Sequence, residues 1–234
     1  HYAHVDYDED RGRYLLKKSV DTSKDQTYVL YNLTQEQLSR TLFPLGSLDK
    51  KSVREMAQKK TFRVANKPDS QEICFVEDDD YARFIRENTD ANIEEGAFLD
   101  KDGNRIGTHK GIIHYTIGQR RGLGISSDRR LYVVSKDLER NTVTLGDLDD
   151  TFATSFIATD LNLISIAQID SPISALAKTR YSAKEVPCTI SPIDGGDVIV
   201  TLNTPQKAIT SGQAVVFYDG DVVVGGGTIK STVE

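Results

Sequence analysis

Three turn dipeptides, Asp102-Gly103, Gly195-Gly196 and Asp219-Gly220, each sit between segments in which apolar and polar residues alternate. A glycine beside an acid or a second glycine adopts positive φ without steric cost, and period-two alternation gathers one set of side chains on a single face. That combination is the signature of antiparallel hairpins. From Gly96 onward the chain therefore reads as short strands. The segment "IIHYTIGQRRGLGI" (112–125) is expected to supply one strand and "RLYVVSKDLERNTVTLGD" (130–147) a pair. Residues 151–234, with the last two dipeptides as turns, read as a closed all-β unit of barrel type.

The earlier part has a different texture. "HYAHVDYDEDRGRYLLKKSV" alternates around an acidic turn, Asp8 to Gly12, and predicts a hairpin in which Tyr14, Leu15 and Leu16 return. Thr34 followed by Gln37 forms a capping-box pattern, which predicts a helix with Leu38 and Leu42 on one face and a stop at Pro44. Val53, Met56 and Ala57 recur at helical spacing with lysines outside, most simply a solvated face. Asp79 is expected to cap a short helix over "YARFIREN". The order is thus a helical first part, a small mixed middle and, from about residue 151, a β-barrel tail.

Composition narrows the function classes. No run approaches the roughly 20 apolar residues that span a bilayer, and a cytoplasmic protein is expected. The net charge of -6 argues against indiscriminate adhesion to polyanions but leaves room for a local basic face. Two cysteines far apart, without a CxxC pair, do not suggest a disulfide framework. The chain opens at His1 and its single methionine is Met56, so it is expected to be the C-terminal part of something longer.

Candidate chemistry is dispersed. Cys74, in "DSQEICFV", is either a small buried hydrophobe beside Ile73, Phe75 and Val76 or an accessible thiol after a polar turn. Cys188 lies inside an alternating strand and reads as structural. His109 and His114, and His1 and His4, lack partners at metal-ligand spacing, so no metal site is expected. "GQRRGLGI" (118–125) lacks the ending of a nucleotide phosphate loop; it offers amides and guanidinium groups to a phosphate, or is a charged turn. Lys24, Asp25 and Gln26 together could grip a phosphate and a base edge, or merely precede a helix. Arg180 and Tyr181 pair a cation with a stacking surface, or are strand neighbours. Gly212-Gln213 stands at a strand entry, where a turn is the default reading.

Taken in order, "HYA", "KDQTYVLYNL", "FPLG", "VREMA", "NKPDSQEICFV", "GTHKGIIHYTIGQRRGLGI", "LYVV", "KTRY" and "ITSGQAVVFYDGDVVVGGG" resemble, nearly end to end, the bacterial tRNA-specific 2-thiouridylase family. The resemblance implies an enzyme, a tRNA-uridine 2-sulfurtransferase, that uses ATP with Mg2+ to replace the 2-oxygen of the wobble uridine by sulfur. It implies adenylation of that oxygen and delivery of sulfur from a cysteine persulfide, with Cys74 as the carrier. It places tRNA contacts on His1, on Lys24, Asp25 and Gln26, on Arg180 and Tyr181, and on Gln213. It makes the fold class multidomain, α/β plus all-β: residues 1–80 are the remnant of a PP-loop, adenine nucleotide hydrolase-like α/β domain, 81–150 a small central mixed domain and 151–234 a C-terminal β-barrel. The implied partners are tRNA and a cysteine desulfurase or sulfur relay protein, with no membrane. The family's ATP loop and its second cysteine have no counterpart in these residues, so the chain alone is expected not to thiolate tRNA. The rival expectations are a non-catalytic module for structured RNA and a sulfur carrier that never touches RNA.

Overall fold

The computed structural model describes residues 1–66, 76, 80–89 and 93–233. In chain order its elements are β1 (His4–Asp8), β2 (Arg13–Lys17), α1 (Thr27–Leu30), α2 (Gln35–Ser39), α3 (Lys50–Lys59), α4 (Tyr81–Asn88), β3 (Gly96–Leu99), β4 (Arg105–His109), β5 (Tyr132–Asp137) and β6 (Thr142–Gly146). The remaining strands are β7 (Phe152–Leu163), β8 (Ile173–Lys178), β9 (Val186–Pro192), β10 (Val198–Lys207), β11 (Ala214–Asp219) and β12 (Val222–Val233). They form two compact units, His1–Lys67 with Thr154–Gln206 and Thr210–Glu234, and Pro68–Ala153 with Lys207–Ile209.

The first unit is built on a ring of strands, β12-β11-β8-β9-β10-β7, closed by pairing of β7 with β12. Closure removes the exposed edges that an open sheet would present. Inside the ring the alternation expected from the sequence is met: Val186, Cys188 and Ile190 on β9, and Val198, Val200 and Leu202 on β10, are buried while their neighbours are less so. Gly195, at φ +86°, and Gly196, at φ +85°, turn the chain between them. Complete burial of side chains such as Phe156 and Phe217 contributes roughly 1.5–3 kcal/mol apiece.

Residues 1–66 are built onto this ring rather than beside it. The expected hairpin β1–β2 forms, with Tyr7 opposite Tyr14 and Asp8 opposite Arg13. Ala3, Leu16, Tyr28, Tyr31 and Leu38 share one core with Ile164, Val216, Tyr218 and Val223. Polar side chains fix the join: Arg13 donates to the carbonyls of Leu163 and Ile164 at 2.9 and 2.8 Å. Asn162 donates to those of Tyr31 and Leu33 at 2.6 and 3.0 Å.

The capping box is present as read, with Thr34 Oγ1 accepting from Gln37 N and the Gln37 side chain accepting from Thr34 N. The helix is shorter than expected, however. Thr41 Oγ1 takes up the carbonyl of Gln37, and the amides of Arg40 and Thr41 turn back on Gln37 and Leu38. These bonds end α2 before Leu42, which stands exposed while Leu38 is buried. Pro44 then disfavours helical backbone at Phe43. Helix α3 occurs as predicted and buries none of its residues. At the start of α4 the Asp80 side chain accepts from Arg83 N; Asp79, the expected cap, lies outside the described residues.

The second unit carries the sheet β4-β3-β6-β5, two hairpins joined by a parallel β3–β6 pairing. Gly103, at φ +84°, makes the predicted first turn. The core is Phe98, Tyr115, Leu123, Leu131, Val133, Val143 and Leu145. Residues 112–125 do not form the expected strand. A single 3-10 turn, Ile112–His114, is followed by a glycine-broken loop. Gly118, Gly122 and Gly124, all at positive φ, interrupt the extended backbone that a strand requires. His109 is a core residue: Nδ1 accepts from Gly111 N, so Nε2 donates to the Asn141 carbonyl at 3.1 Å, and its ring meets Phe98 and Tyr115 edge-on.

Candidate functional site

On the first unit, strand β8 ends at Lys178 and the chain turns over Thr179–Ala183, with Ala183 N bonded to the Arg180 carbonyl. Val216 on β11 lies opposite Lys178, the last paired residue of β8. Tyr28, at the start of the core-facing α1, donates its hydroxyl to the Ala214 carbonyl at 2.8 Å. Its ring lies edge-on to Tyr181 at 6.0 Å. Lys178 Nζ stands over both rings, 5.7 Å from Tyr28 and 5.5 Å from Tyr181. Burial pushes the Tyr28 phenol up to about 12, an effect the Arg180 guanidinium partly opposes. Tyr28 is thus a fixed neutral post, and Tyr181, 52% exposed, is the face left open for stacking.

The loop that delivers Tyr28 contains Lys24, Asp25 and Gln26. The Asp25 carboxylate is turned inward, accepting from Ser19 N at 3.0 Å and from Thr27 N and Thr27 Oγ1 at 3.2 and 2.5 Å. Because the Thr27 hydroxyl proton goes to Asp25, the 3.3 Å contact with Tyr218 is one in which the phenol donates. A polar chain therefore runs from β11 into the loop. Gln26 clamps Tyr2: its Oε1 accepts from Tyr2 N and its own N donates to Tyr2 O, both at 3.0 Å. Asp21 braces the same loop, its carboxyl held below the usual carboxylate range chiefly by the Ser23 hydroxyl. Lys24 and Gln26 are half-buried, so the loop, not a loose tail, sets where the Lys24 side chain leaves the surface.

Gln213 has an exposed side chain and a fixed backbone, its N bonded to Thr210 O and its O to Ile229 N. It immediately precedes Ala214, the acceptor of Tyr28. The structure thus brings Arg180, Tyr181 and the Gln213 backbone around Tyr28, with the Lys24–Gln26 loop leading into it. His1 does not join them: its ring lies edge-on to Phe43 at 6.5 Å, beside a cleft of about 310 Å3 that His4 and Phe43 help to line. Cys74 lies outside the described residues. Tyr28 and Lys178 were not singled out from the sequence; Lys178 is the first letter of "KTRY", and only strand pairing reveals what it covers.

Cys188 is 3% exposed, opposite Leu202 and Ala175 inside the ring. Burial pushes its thiol up to about 11. Iodoacetamide at about pH 8 is expected to leave Cys188 unmodified in the folded chain and to alkylate it in guanidinium. Peptide mass spectrometry reads the difference, and native-state labelling of Cys188 would contradict the assignment.

Among the described residues no three His, Cys, Asp or Glu side chains gather as metal ligands. Within residues 1–66 no helix of eight residues or more leaves its N-terminus open to the phosphates of ATP. The one helix of eight residues or more within 1–66 is α3, and its N-terminus is closed by Asp49, which accepts from Ser52 N at 2.6 Å. No helix among the described residues is long and apolar enough to cross a membrane.

Comparison with known proteins gives three consecutive family models. Residues 1–78 match the tRNA methyl transferase HUP domain, 82–147 the tRNA methyl transferase PRC-barrel domain and 153–229 the aminomethyltransferase beta-barrel domain. The chain is 59% identical over 233 residues to tRNA-specific 2-thiouridylase MnmA 1 of Thermoanaerobacter sp. (strain X514), covering 100% of this chain and 64% of that protein. It is 55% identical over 230 residues to tRNA-specific 2-thiouridylase MnmA of Acetivibrio thermocellus, covering 98% and 64%. The protein of the same name from Clostridioides difficile (strain 630) is 52% identical over 232 residues, covering 99% and 64%. The chain thus spans less than two thirds of the length of these relatives.

Proposed function

The chain belongs to the tRNA-specific 2-thiouridylase family, and from that premise we propose that it serves the ATP-dependent 2-thiolation of wobble uridine in tRNA. In this reading residues 1–80, 81–150 and 151–234 are its catalytic-domain, central and barrel parts. Cys74 carries the transferred sulfur as a persulfide, loaded by a cysteine desulfurase or a relay protein in the cytoplasm. A persulfide suits the task because its terminal sulfur is a good nucleophile and its S–S bond is open to cleavage by a second thiol.

ATP with Mg2+ belongs to this reading through the family alone. What this chain's own residues do is hold RNA. Lys24 and Arg180 meet phosphates, Tyr181 stacks on a base, and Gln213 offers an amide to a base or sugar edge. Asp25 and Gln26 act by fixing the loop that presents Lys24. His1 makes its contact separately, beside Phe43.

The observation that supports the reading best is the assembly around Tyr28. A lysine, an arginine and an exposed aromatic from one chain segment and an exposed glutamine from a second, far apart in sequence, gather near a ring that a third supplies and whose hydroxyl is already bonded. Core packing needs no such group at a strand end. Base–aromatic stacking is worth roughly 1–3 kcal/mol, so Arg180→Ala with Tyr181→Ala is expected to weaken binding of a tRNA transcript about ten- to a hundredfold. Fluorescence titration across a salt series checks this. Equal affinity in the double variant would remove the barrel from the RNA interface. A wild-type chain without salt-dependent affinity would leave a sulfur carrier that does not touch RNA.

A further inference from the structure

The loop that replaces the expected strand in the second unit builds a cleft of its own. Its base is pinned: Leu123 is buried, Gly118 N donates to Val133 O at 2.8 Å and Val133 N to Gln119 O at 2.9 Å. The Gln119 side chain accepts from Thr116 N and donates to Arg121 O, at 2.9 and 3.0 Å. Above this base lies an open cleft of about 250 Å3, lined in part by Arg120, Gly122, Gly124, Ser127, Arg129 and Arg130.

Three guanidinium groups thus share one small concavity in a chain whose net charge is -6. Arg129 is anchored to Asp147 at 3.1 Å. Arg120 and Arg130 are exposed and make no hydrogen bond or ion pair with the described residues. Like charges held together repel unless an anion is present, and the planar fork of arginine suits phosphate oxygens. Gly122, at φ +74°, and Gly124, at φ +71°, keep the backbone bare at the mouth; a Cβ on Gly124 would meet nothing within 4 Å. A ligand can therefore approach the backbone there.

The lining also says what the ligand is not. It contains no aromatic ring on which a base could stack, and its volume is below the roughly 300–1,000 Å3 of ordinary small-molecule sites. The groups present recognise a phosphate and ignore a base. We propose that this cleft binds phosphodiester groups of an RNA backbone, a contact carried by the second unit and independent of the residues around Tyr28. The proposal rests on the reading that RNA is the partner of this protein.

The test is the salt dependence of tRNA binding by the full chain and by its Arg120→Ala, Arg130→Ala variant. Each lost phosphate contact lowers the slope of log affinity against log salt by roughly 0.7–0.9. The variant is expected to show a slope shallower by about one to two and weaker binding at low salt, with an unchanged unfolding midpoint. An unchanged slope and affinity, while Arg180→Ala with Tyr181→Ala still weakens binding, would overturn the cleft and leave the RNA reading standing. Absence of tRNA binding by the wild-type chain would remove both. Calorimetry with inorganic phosphate separates a free-anion site: phosphate binding lost in the variant without any change in the tRNA slope would also overturn the proposal.

Discussion

Serine in place of Cys74 is expected to remove 2-thiouridine from cellular tRNA to the detection limit, with the protein still present at its normal level. A hydroxyl cannot be converted to a persulfide, so the exchange deletes the proposed sulfur-carrying atom while leaving a side chain of nearly the same shape. The other thiol of the chain cannot take over. Cys188 points into the closed ring, 3% exposed, and burial pushes its thiol up to about 11. At pH 7 only about one part in ten thousand of such a group is thiolate, and the thiolate is the reactive form. The measurement is nucleoside mass spectrometry of total tRNA from cells whose chromosomal copy carries Cys74→Ser, with protein abundance checked by immunoblot. Undiminished 2-thiouridine would return Cys74 to the alternative weighed from the sequence, a small apolar residue among Ile73, Phe75 and Val76. It would leave an RNA-binding module as the better description.

What could be read from the sequence was what is decided locally. The Thr34–Gln37 capping box and the turns at Gly103, Gly195-Gly196 and Gly220 depend on a few adjacent residues, and each is where the pattern put it. The end of α2 was not legible. It depends on Thr41 competing for the Gln37 carbonyl, a choice that hydrophobic spacing does not encode, and so Leu42 was assigned to a face it never reaches. Residues 112–125 failed for a related reason: their apolar residues alternate well enough for a strand, but three glycines at positive φ break it.

The candidate site was legible only as fragments. Arg180 and Tyr181 are neighbours in sequence and could be seen as a pair. Tyr28 and Lys178, which give that pair its setting, are joined to it only by the β8–β11 register and the Tyr28–Ala214 bond. For Asp25 the sequence leaves open a group that grips a ligand and one that merely precedes a helix. Its inward role follows from Thr27 and Tyr218, and Tyr218 belongs to a strand far along the chain.

The run Gly225-Gly226-Gly227 was the least legible feature of all, and it carries the second large effect. In a strand, exchanging glycine for alanine ordinarily helps by roughly 0.5–1 kcal/mol, because glycine loses more freedom on folding. At Gly226 the sign is expected to reverse. A Cβ there would lie 2.6 Å from the Val215 carbonyl oxygen and 2.5 Å from Cδ2 of Tyr31. The first is backbone of the paired strand β11 and cannot swing aside. The second is a ring buried in the core that joins α1 to the barrel. Overpacking of this kind costs about 1–3 kcal/mol, which exceeds the entropic gain, so Gly226→Ala is expected to destabilise the chain by about 2 kcal/mol. For a chain of this size that is a fall in midpoint of about 4–8 °C. Gly196→Ala is the control: its φ is +85° and a Cβ would touch nothing within 4 Å. It therefore carries only the conformational penalty, about 1 kcal/mol. Tyr31 follows Tyr28 by three residues, so the strain at Gly226 is expected to displace α1 and weaken tRNA binding, which Gly196→Ala leaves intact. Thermal unfolding of the two variants, with tRNA titrations below the midpoint, reads both effects. Equal midpoints would show that β12 yields at Gly226, and that close approach of Tyr31 and β11 is not what requires glycine there.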